Sequence, residues 1–375
     1  MASEIPKAAA RAMNRRDTRM YSANKFRLGL FALNASGGLT MTKAPERWEA
    51  SWENNLAAAR LADAAGLEFL LPIGRWHGYQ GETDTEGSNF ETLTWAAGLL
   101  ANTAGICVFG TVHVPLISPI FAAKQMVTAD HIGQGRFGLN IVSGWNEGEF
   151  AMFGRPLNPH EMRYAYTEEW LTIVKRVWTE DEPFDFAGRY FDLKNVLLKP
   201  KPYGGGRPVL INAGNSAEGR AFAARHADCV FMTIIQFDAL AKETAAVRAN
   251  AATPDLGIYA SGHLLARPTR KEADEYYRYI VEEMGDWKAA EHAAYIRTKG
   301  RPTPFRQMKE IKERMISGLG TYPVVGSYDE VAQSFRRMSE AGLDGMALGL
   351  VNYIADLPVL RDEILPRMQR LGLRA

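Results

Sequence analysis

Apolar and polar positions alternate along this chain in a repeating way. Short apolar runs of strand length end in polar turns, and each is followed by a stretch with apolar residues at three- and four-residue spacing. Residues 25–33 (KFRLGLFAL) alternate like a strand and stop at the turn-rich NASGG of 34–38, whereas 48–66 place Trp52, Leu56, Ala59 and Ala65 near helical spacing before Gly66. The same reading predicts strands at 67–72, 105–112, 136–142, 208–213, 229–235, 258–266 and 345–351. Helices are predicted at 90–102, 119–132, 160–179, 217–227, 239–252, 271–283, 328–341 and 356–370. Strand and helix alternate at the period of βαβ units, which implies a parallel sheet. Eight strands without a low-complexity boundary predict an α/β chain forming one (β/α)8 barrel over residues 25–371.

Three segments break the alternation. Residues 1–24 carry Lys7, Arg11, Arg15, Arg16 and Arg19 with few large apolar groups, and read either as a loosely ordered, flexible arm or as an arm around a neighbouring subunit. Residues 183–208 are β-like and rich in Pro and Gly, the pattern of an insertion. Residues 285–321 have helical content but exceed the usual connection, which makes them a lid candidate.

Composition narrows the function classes. The 375 residues are 46% hydrophobic and 23% charged, with a net charge of +1 and no long single-sign block, so no nucleic-acid or anionic-membrane footprint is present. No apolar run approaches the roughly 18–20 residues of a bilayer span, and no secretory core is seen at the N-terminus, so a cytoplasmic protein with a small-molecule partner is expected. Cys107 and Cys229 sit in apolar strand-like runs and read as reduced core thiols. None of the seven His has ligand spacing with Cys or a carboxylate, so no metal is expected.

A parallel barrel gathers its strand-end loops around one mouth, so the polar residues past each strand belong together. They are Asn34; Gly74, Arg75, Trp76 and His77; Thr111 and His113; Asn140, Trp145 and Glu149; Gly214, Asn215 and Ser216; and His263. The densest piece is GRFGLNIVSGWNEGEF at 135–150, where Asn140 is either a core amide satisfied by a neighbour's backbone or part of a polar site. At 213–216 (AGNS) a strand meets a helix start; this is either an ordinary N-cap or, with Arg163 and Tyr164 adding charge and a hydroxyl, a phosphate cradle. An open doubly wound sheet would carry G-x-G-x-x-G after its first strand; Ser36, Gly37 and Gly38 do not make one, so no nicotinamide site of that kind is expected.

Six pieces together carry a wider likeness: SGGL at 36–39, FAAKQMVTADHIGQGRFGLNIVSGWNEGEF at 121–150, the Arg163 and Tyr164 pair, GRYFDLKNVLLKPKP at 188–202, AGNS at 213–216 and VVGSYDEVA at 324–332. From about residue 26 to 366 the chain resembles the bacterial-luciferase-like flavin-dependent monooxygenases, in the branch of dimethyl sulfone, alkanesulfonate and pyrimidine monooxygenases and a riboflavin-cleaving lyase. The resemblance implies a barrel that binds reduced FMN delivered by a separate NAD(P)H-dependent flavin reductase, consumes dioxygen, and assembles as a homodimer or homotetramer. It implies that Asn140, Glu149, Arg163, Tyr164, Gly214, Asn215 and Ser216 hold FMN with the backbone of Ile73 and Gly74. Thr111 would shape the dioxygen pocket, with Asn140, His77 and His263 as further catalytic candidates; Asn34, Trp76, His113, Trp145 and Tyr353 would face the substrate. Where alkanesulfonate monooxygenases place arginines, this chain has Ser261 and Ser317, which points to a neutral substrate such as a sulfone or an N-heterocycle. A deazaflavin-dependent reductase on the same barrel and a flavin-binding protein without turnover are the alternatives.

Overall fold

The predicted strand runs are rich in Val, Ile, Leu and Phe, residues that fit a pleated surface buried on both faces. In the computed structural model, which describes residues 15–214, 216–298 and 305–375, they form β1 (Arg27–Phe31), β2 (Phe69–Leu71), β3 (Cys107–His113) and β4 (Phe137–Val142). There follow β5 (Phe184–Ala187), β6 (Asp192–Val196), β7 (Val209–Asn212), β8 (Cys229–Met232), β9 (Gly257–Arg267), β10 (Tyr322–Ser327) and β11 (Gly345–Gly349). Parallel pairing runs β11, β1, β2, β3, β4, β7, β8, β9, and β9 returns to β11, closing an eight-stranded barrel. The expected (β/α)8 architecture is the one formed.

Alternation along the strands sorts side chains into an inner and an outer core. Inward residues Phe69, Leu71, Cys107, Phe109, Val209, Ile211, Cys229, Phe231, Tyr259 and Ala347 form one buried cluster. Phe69 packs edge-to-face on Phe109 at 6.0 Å and on Tyr259 at 5.6 Å. Glycines make room for these rings: a Cβ on Gly138 would lie 2.3 Å from the Phe109 ring, and one on Gly29 2.5 Å from Phe69. Outward residues such as Leu28, Leu70, Val108, Leu139, Leu210 and Ile258 meet the surrounding helices.

The N-terminal segment closes the bottom of the barrel. Met20 is buried within the inner cluster, and Arg15, Arg16 and Arg19 pair with Asp228 (3.1 Å), Asp255 (2.5 Å) and Asp63 (3.0 Å). Residues 15–24, read from sequence as part of a loosely ordered arm, are thus docked by one apolar anchor and three ion pairs; residues 1–14 lie outside the described residues.

The α-helices among the described residues are α1 (Trp52–Ala64), α2 (Thr92–Leu100), α3 (Pro119–Ile132), α4 (Glu147–Met152), α5 (His160–Thr179), α6 (Ala217–His226), α7 (Leu240–Ala249), α8 (Arg270–Arg278), α9 (Trp287–Thr298), α10 (Phe305–Gly318), α11 (Tyr328–Glu340), α12 (Tyr353–Val359) and α13 (Leu365–Arg370). The 183–208 insertion is an antiparallel hairpin of β5 and β6. Within 285–321, α9 and α10 bury Ala289, Ala290, Ala293, Met315 and Ile316 against Leu39, Met41, Tyr79 and Val351, a second core above the barrel. Residues 299–304 lie outside the described residues. One strand was not anticipated: β10 pairs with the upper half of β9, from Gly262 to Arg267, along the edge left open where β8 stops pairing with β9 at Ala260. Pro323 masked it in the sequence, and such a residue is tolerated because β10 is an edge strand.

Met20→Ala removes a buried side chain from the barrel floor and should lower stability by about 2–5 kcal/mol. Urea unfolding of the variant measures it; an unchanged midpoint would show that Met20 is not a structural plug.

Candidate functional site

Inward positions near the ends of the strands lie above the aromatic layer. By the two-residue period, Thr111 and His113 share the face of Phe109, Asn140 that of Gly138, and Ser261 and His263 that of Tyr259. Thr111 and Asn140 are register partners on β3 and β4. The Thr111 hydroxyl donates to the Pro72 carbonyl at 2.6 Å, so its oxygen can only accept from Asn140, whose Nδ2 lies 3.1 Å away. That fixes the amide: Asn140 Oδ1 is left buried without a partner. Since buried polar groups are ordinarily paired, this orphan acceptor is a candidate contact for a bound group.

Two inward histidines are held neutral. Burial, with the Arg75 guanidinium nearby, lowers His113 to about 4. Burial and Arg314 lower His263 to about 3. His263 Nδ1 lies 3.1 Å from Thr321 Oγ1, and its Nε2 is buried without a partner.

The loop after β2 builds one wall of the mouth around an ionic group. Arg75 Nε lies 3.1 Å from Glu86 and 3.4 Å from Glu149, all three side chains being almost fully buried. The guanidinium also faces the Tyr79 ring at 4.6 Å and Trp145 at 5.2 Å. Glu149 accepts from the Trp76 amide at 3.1 Å, joining α4 to this loop. One guanidinium cannot neutralise two carboxylates, and burial raises Glu86 to about 7, helped by Glu149 and opposed by Arg75 and Arg297. The loop is tied down by Glu86 N to Ser36 O at 2.8 Å, by Thr83 N to Asp286 at 2.7 Å and by His292 Nδ1 to Tyr79 O at 3.0 Å. The SGGL turn and α9 therefore act on the mouth through this loop.

Past β7, which adjoins β4, Ser216 caps α6 by accepting from Gly219 N at 3.1 Å. The Tyr164 hydroxyl hydrogen-bonds Ser216, and it occupies the space that a Cβ on Gly219 or Gly214 would need, at 2.3 and 2.8 Å. A hydroxyl pair at a glycine-lined helix N-terminus suits a phosphate. Asn212 donates to Ile141 O and accepts from Gly214 N, anchoring this turn to β4. Arg163 donates to the carbonyls of Asn158 (2.7 Å) and Gly144 (3.3 Å), so it braces the loop after β4. Asn215 lies outside the described residues.

Two expected substrate contacts are committed elsewhere. Asn34 is fully buried and clamps the β2 loop, donating to Ile73 O (2.9 Å) and Phe90 O (3.1 Å) and accepting from Ile73 N (2.9 Å). Tyr353 donates to Phe31 O, and its ring packs edge-to-face on Trp48 at 4.9 Å. Both hold the scaffold: their polar atoms are taken up by backbone groups and their bodies by the core. Trp76 and Trp145 stand at the rim, 40% and 42% exposed, with Trp76 against Phe153 at 4.6 Å. His77 is half-buried with Nδ1 2.9 Å from Gly78 O, and the Gly74 backbone lies close to Thr111 and His113. Sequence reasoning missed Glu86 and Thr321, since a Glu in GETDTEG reads as solvated and Thr321 follows a lid-like stretch. Among the described residues, no cluster of His, Cys, Asp and Glu is arranged to hold a metal, and no helix is long and apolar enough to cross a membrane.

Comparison with known proteins bears on what such a mouth is for. The luciferase-like monooxygenase family model matches residues 26–345. The chain is 28% identical over 354 residues to an FMNH(2)-dependent dimethylsulfone monooxygenase of Pseudomonas fluorescens (strain Pf0-1), covering 91% of this chain and 94% of the relative. It is 29% identical over 358 residues to pyrimidine monooxygenase RutA of Variovorax paradoxus (strain S110), covering 91% and 94%. In fold it is similar to a riboflavin lyase solved with modified FMN and riboflavin, with a TM-score of 0.84 at 22% identity over 94% of this chain and 93% of that one.

The ionic group gives a pH signature. The folded chain holds the Glu86 proton up to about pH 7, whereas an unfolded Glu releases it near 4.5. Stability should therefore be greatest below about 4.5 with respect to this group and fall as pH rises from there to about 7. Glu86→Gln should flatten that part of the profile in denaturant titrations, and a slope unchanged by the substitution would remove Glu86 as its source. Arg75→Met leaves two buried carboxylates without their cation and should cost about 3–5 kcal/mol.

Proposed function

The chain belongs to the luciferase-like monooxygenase family, and from that premise we propose that it is the oxygenating component of a two-component FMN-dependent monooxygenase. In this reading it uses reduced FMN, supplied by a separate NAD(P)H-dependent flavin reductase, and dioxygen to oxygenate or oxidatively cleave a small neutral substrate. The observation that carries the proposal is the Thr111 and Asn140 pair, whose fixed amide leaves one buried acceptor at the mouth, with the Ser216 and Tyr164 cradle on the adjoining wall. The donor set suits FMN: a ring edge with an N–H for Asn140 Oδ1, and a phosphate for the α6 N-terminus.

Reduced FMN, when bound, supplies the electron pair that lets one atom of dioxygen enter the substrate while the other leaves as water. The chain's own groups orient and seal. Thr111 and Asn140 set the polar edge of the pocket, Ser216 and Tyr164 bind the phosphate end, and Arg163 and Glu149 brace the loops that carry them. The backbone of Ile73, fixed by Asn34, and of Gly74 forms the flavin's seat, while Trp76 and Trp145 cover the rim against water. His113 and His263, kept neutral, serve as hydrogen-bonding groups toward substrate; His77 stands near the rim as a further orienting group.

A neutral substrate follows from the cations at hand. Ser261 and Ser317 are buried hydroxyls, and the nearby Arg314 guanidinium is taken up by the carbonyls of Ile234 (2.5 Å) and Thr321 (2.9 Å). A homodimer or homotetramer in solution is part of the same reading, as is an organisation in which 25–371 form one barrel and 285–321 cover its mouth.

Anaerobic titration with reduced FMN, followed by isotope-labelled dioxygen and candidate sulfones or N-heterocycles, tests the function; labelled product in the mass spectrum is expected. Ser216→Ala and Tyr164→Phe should each weaken FMN by about 0.5–1.5 kcal/mol. Thr111→Val should still bind FMN but yield mostly hydrogen peroxide, measured as dioxygen consumed per product formed. Wild-type coupling in that variant would make Thr111 barrel packing, and flavin uptake without any labelled product would leave a binding protein.

A further inference from the structure

We propose that Thr321 locks the His263 imidazole as its Nδ1–H tautomer, so that the Nε2 lone pair is a fixed acceptor for a substrate N–H, and that the substrate is a cyclic amide or related N–H heterocycle rather than a sulfone. This rests on the monooxygenase reading and names the substrate class of that same mouth. One hydrogen sets the arrangement. Thr321 Oγ1 lies 2.7 Å from the carbonyl of Gly318, which can only accept, so the hydroxyl hydrogen goes there. What remains for His263, 3.1 Å away, is an oxygen lone pair, and Nδ1 must be the donor. A neutral imidazole carries one N–H, so Nε2 is bare. His263 stays neutral because burial and Arg314 hold it down to about 3.

The ring is closely packed on its Nδ1 side. α10 ends against it at Gly318, where a Cβ would lie 2.0 Å from Nδ1, so only glycine lets the helix approach this closely. His263 is 4% exposed and shares the inner face of β9 with Tyr259 and Ser261, and Nε2 has no partner. Asn140 Oδ1, the other unpartnered buried acceptor on an inward strand face there, is taken by the flavin edge in the monooxygenase reading, which leaves His263 Nε2 for the substrate. A sulfone offers only oxygen acceptors and would leave His263 unsatisfied. A ring N–H would satisfy it, and a site built to bond such a group rejects analogues that lack it by as much as about 10⁴-fold.

Two measurements test this on the full chain. Nitrogen NMR of histidine-labelled protein, with His263 assigned by a His263→Gln variant, should show Nδ1 protonated and Nε2 unprotonated across the neutral range. Thr321→Val should lose that pattern and Thr321→Ser keep it, a rescue that packing alone would not give. Calorimetry on the FMN-loaded protein should find uracil, and thymine as a size control that keeps both N–H groups, binding at least about 100-fold more tightly than N,N′-dimethyluracil or dimethyl sulfone. Thr321→Val should weaken uracil about 10-fold, and Thr321→Ser should restore it. Protonated Nε2 in the wild type, equal binding of the methylated ring, sulfone binding in preference to uracil, or no uracil binding would each overturn the proposal. Failure to take up FMN would instead defeat the monooxygenase reading, and the NMR pattern would still decide the histidine.

Discussion

The filled interior of the closed barrel is the constraint on which the rest depends. Eight parallel strands with a two-residue side-chain period send every second residue into one space. That space is taken by Phe69, Phe109, Phe231 and Tyr259, with Gly29 and Gly138 yielding room to the rings and Met20 entering from below. Because the layer is solid, the next inward residues cannot sink, and Thr111, Asn140, Ser261 and His263 are held at the mouth end. A one-residue slip of β4 would turn Asn140 out among the helices and put Leu139 in its place.

Above that floor, single hydroxyl hydrogens decide which way polar groups present themselves. Thr111 gives its hydrogen to Pro72 O, which orients the Asn140 amide; Thr321 gives its hydrogen to Gly318 O, which sets the proton on His263. In each case a short β-branched residue with few rotamers directs a larger neighbour, and the outcome is an unpartnered acceptor on the inner face of the barrel. The result is a mouth prepared for donors.

The wall around it is joined through charge. Arg75 draws together the β2 loop through Glu86, α4 through Glu149, and the aromatic rim through Tyr79 and Trp145. Asp286 and His292 then connect the loop to α9, so the second core of α9 and α10 leans on the same ionic group. Buried charge of this kind adds little to stability when paired and costs much when broken, so it fixes an arrangement rather than strengthening it.

Local pattern was enough for the barrel and for placing several polar residues at the ends of its strands. Strand-helix alternation is written in nearest neighbours: α3 and α5 fall at 119–132 and 160–179, as periodicity indicated, and Thr111, Asn140, Ser216 and His263 stand out as polar residues at strand ends. What a side chain touches across the barrel is not written there. Asn34 and Tyr353 look like mouth residues by position, yet their polar atoms are taken by Ile73, Phe90 and Phe31, backbone groups brought near only by closure. Glu86 looks solvated in a run of acids, but the SGGL turn and Arg75 bury it; β10 becomes a strand only because β9 outlasts its pairing with β8 and offers an edge. Sequence determined which residues could bond, through local periodicity; the tertiary structure decided which bonds were already spent, since that depends on partners distant along the chain.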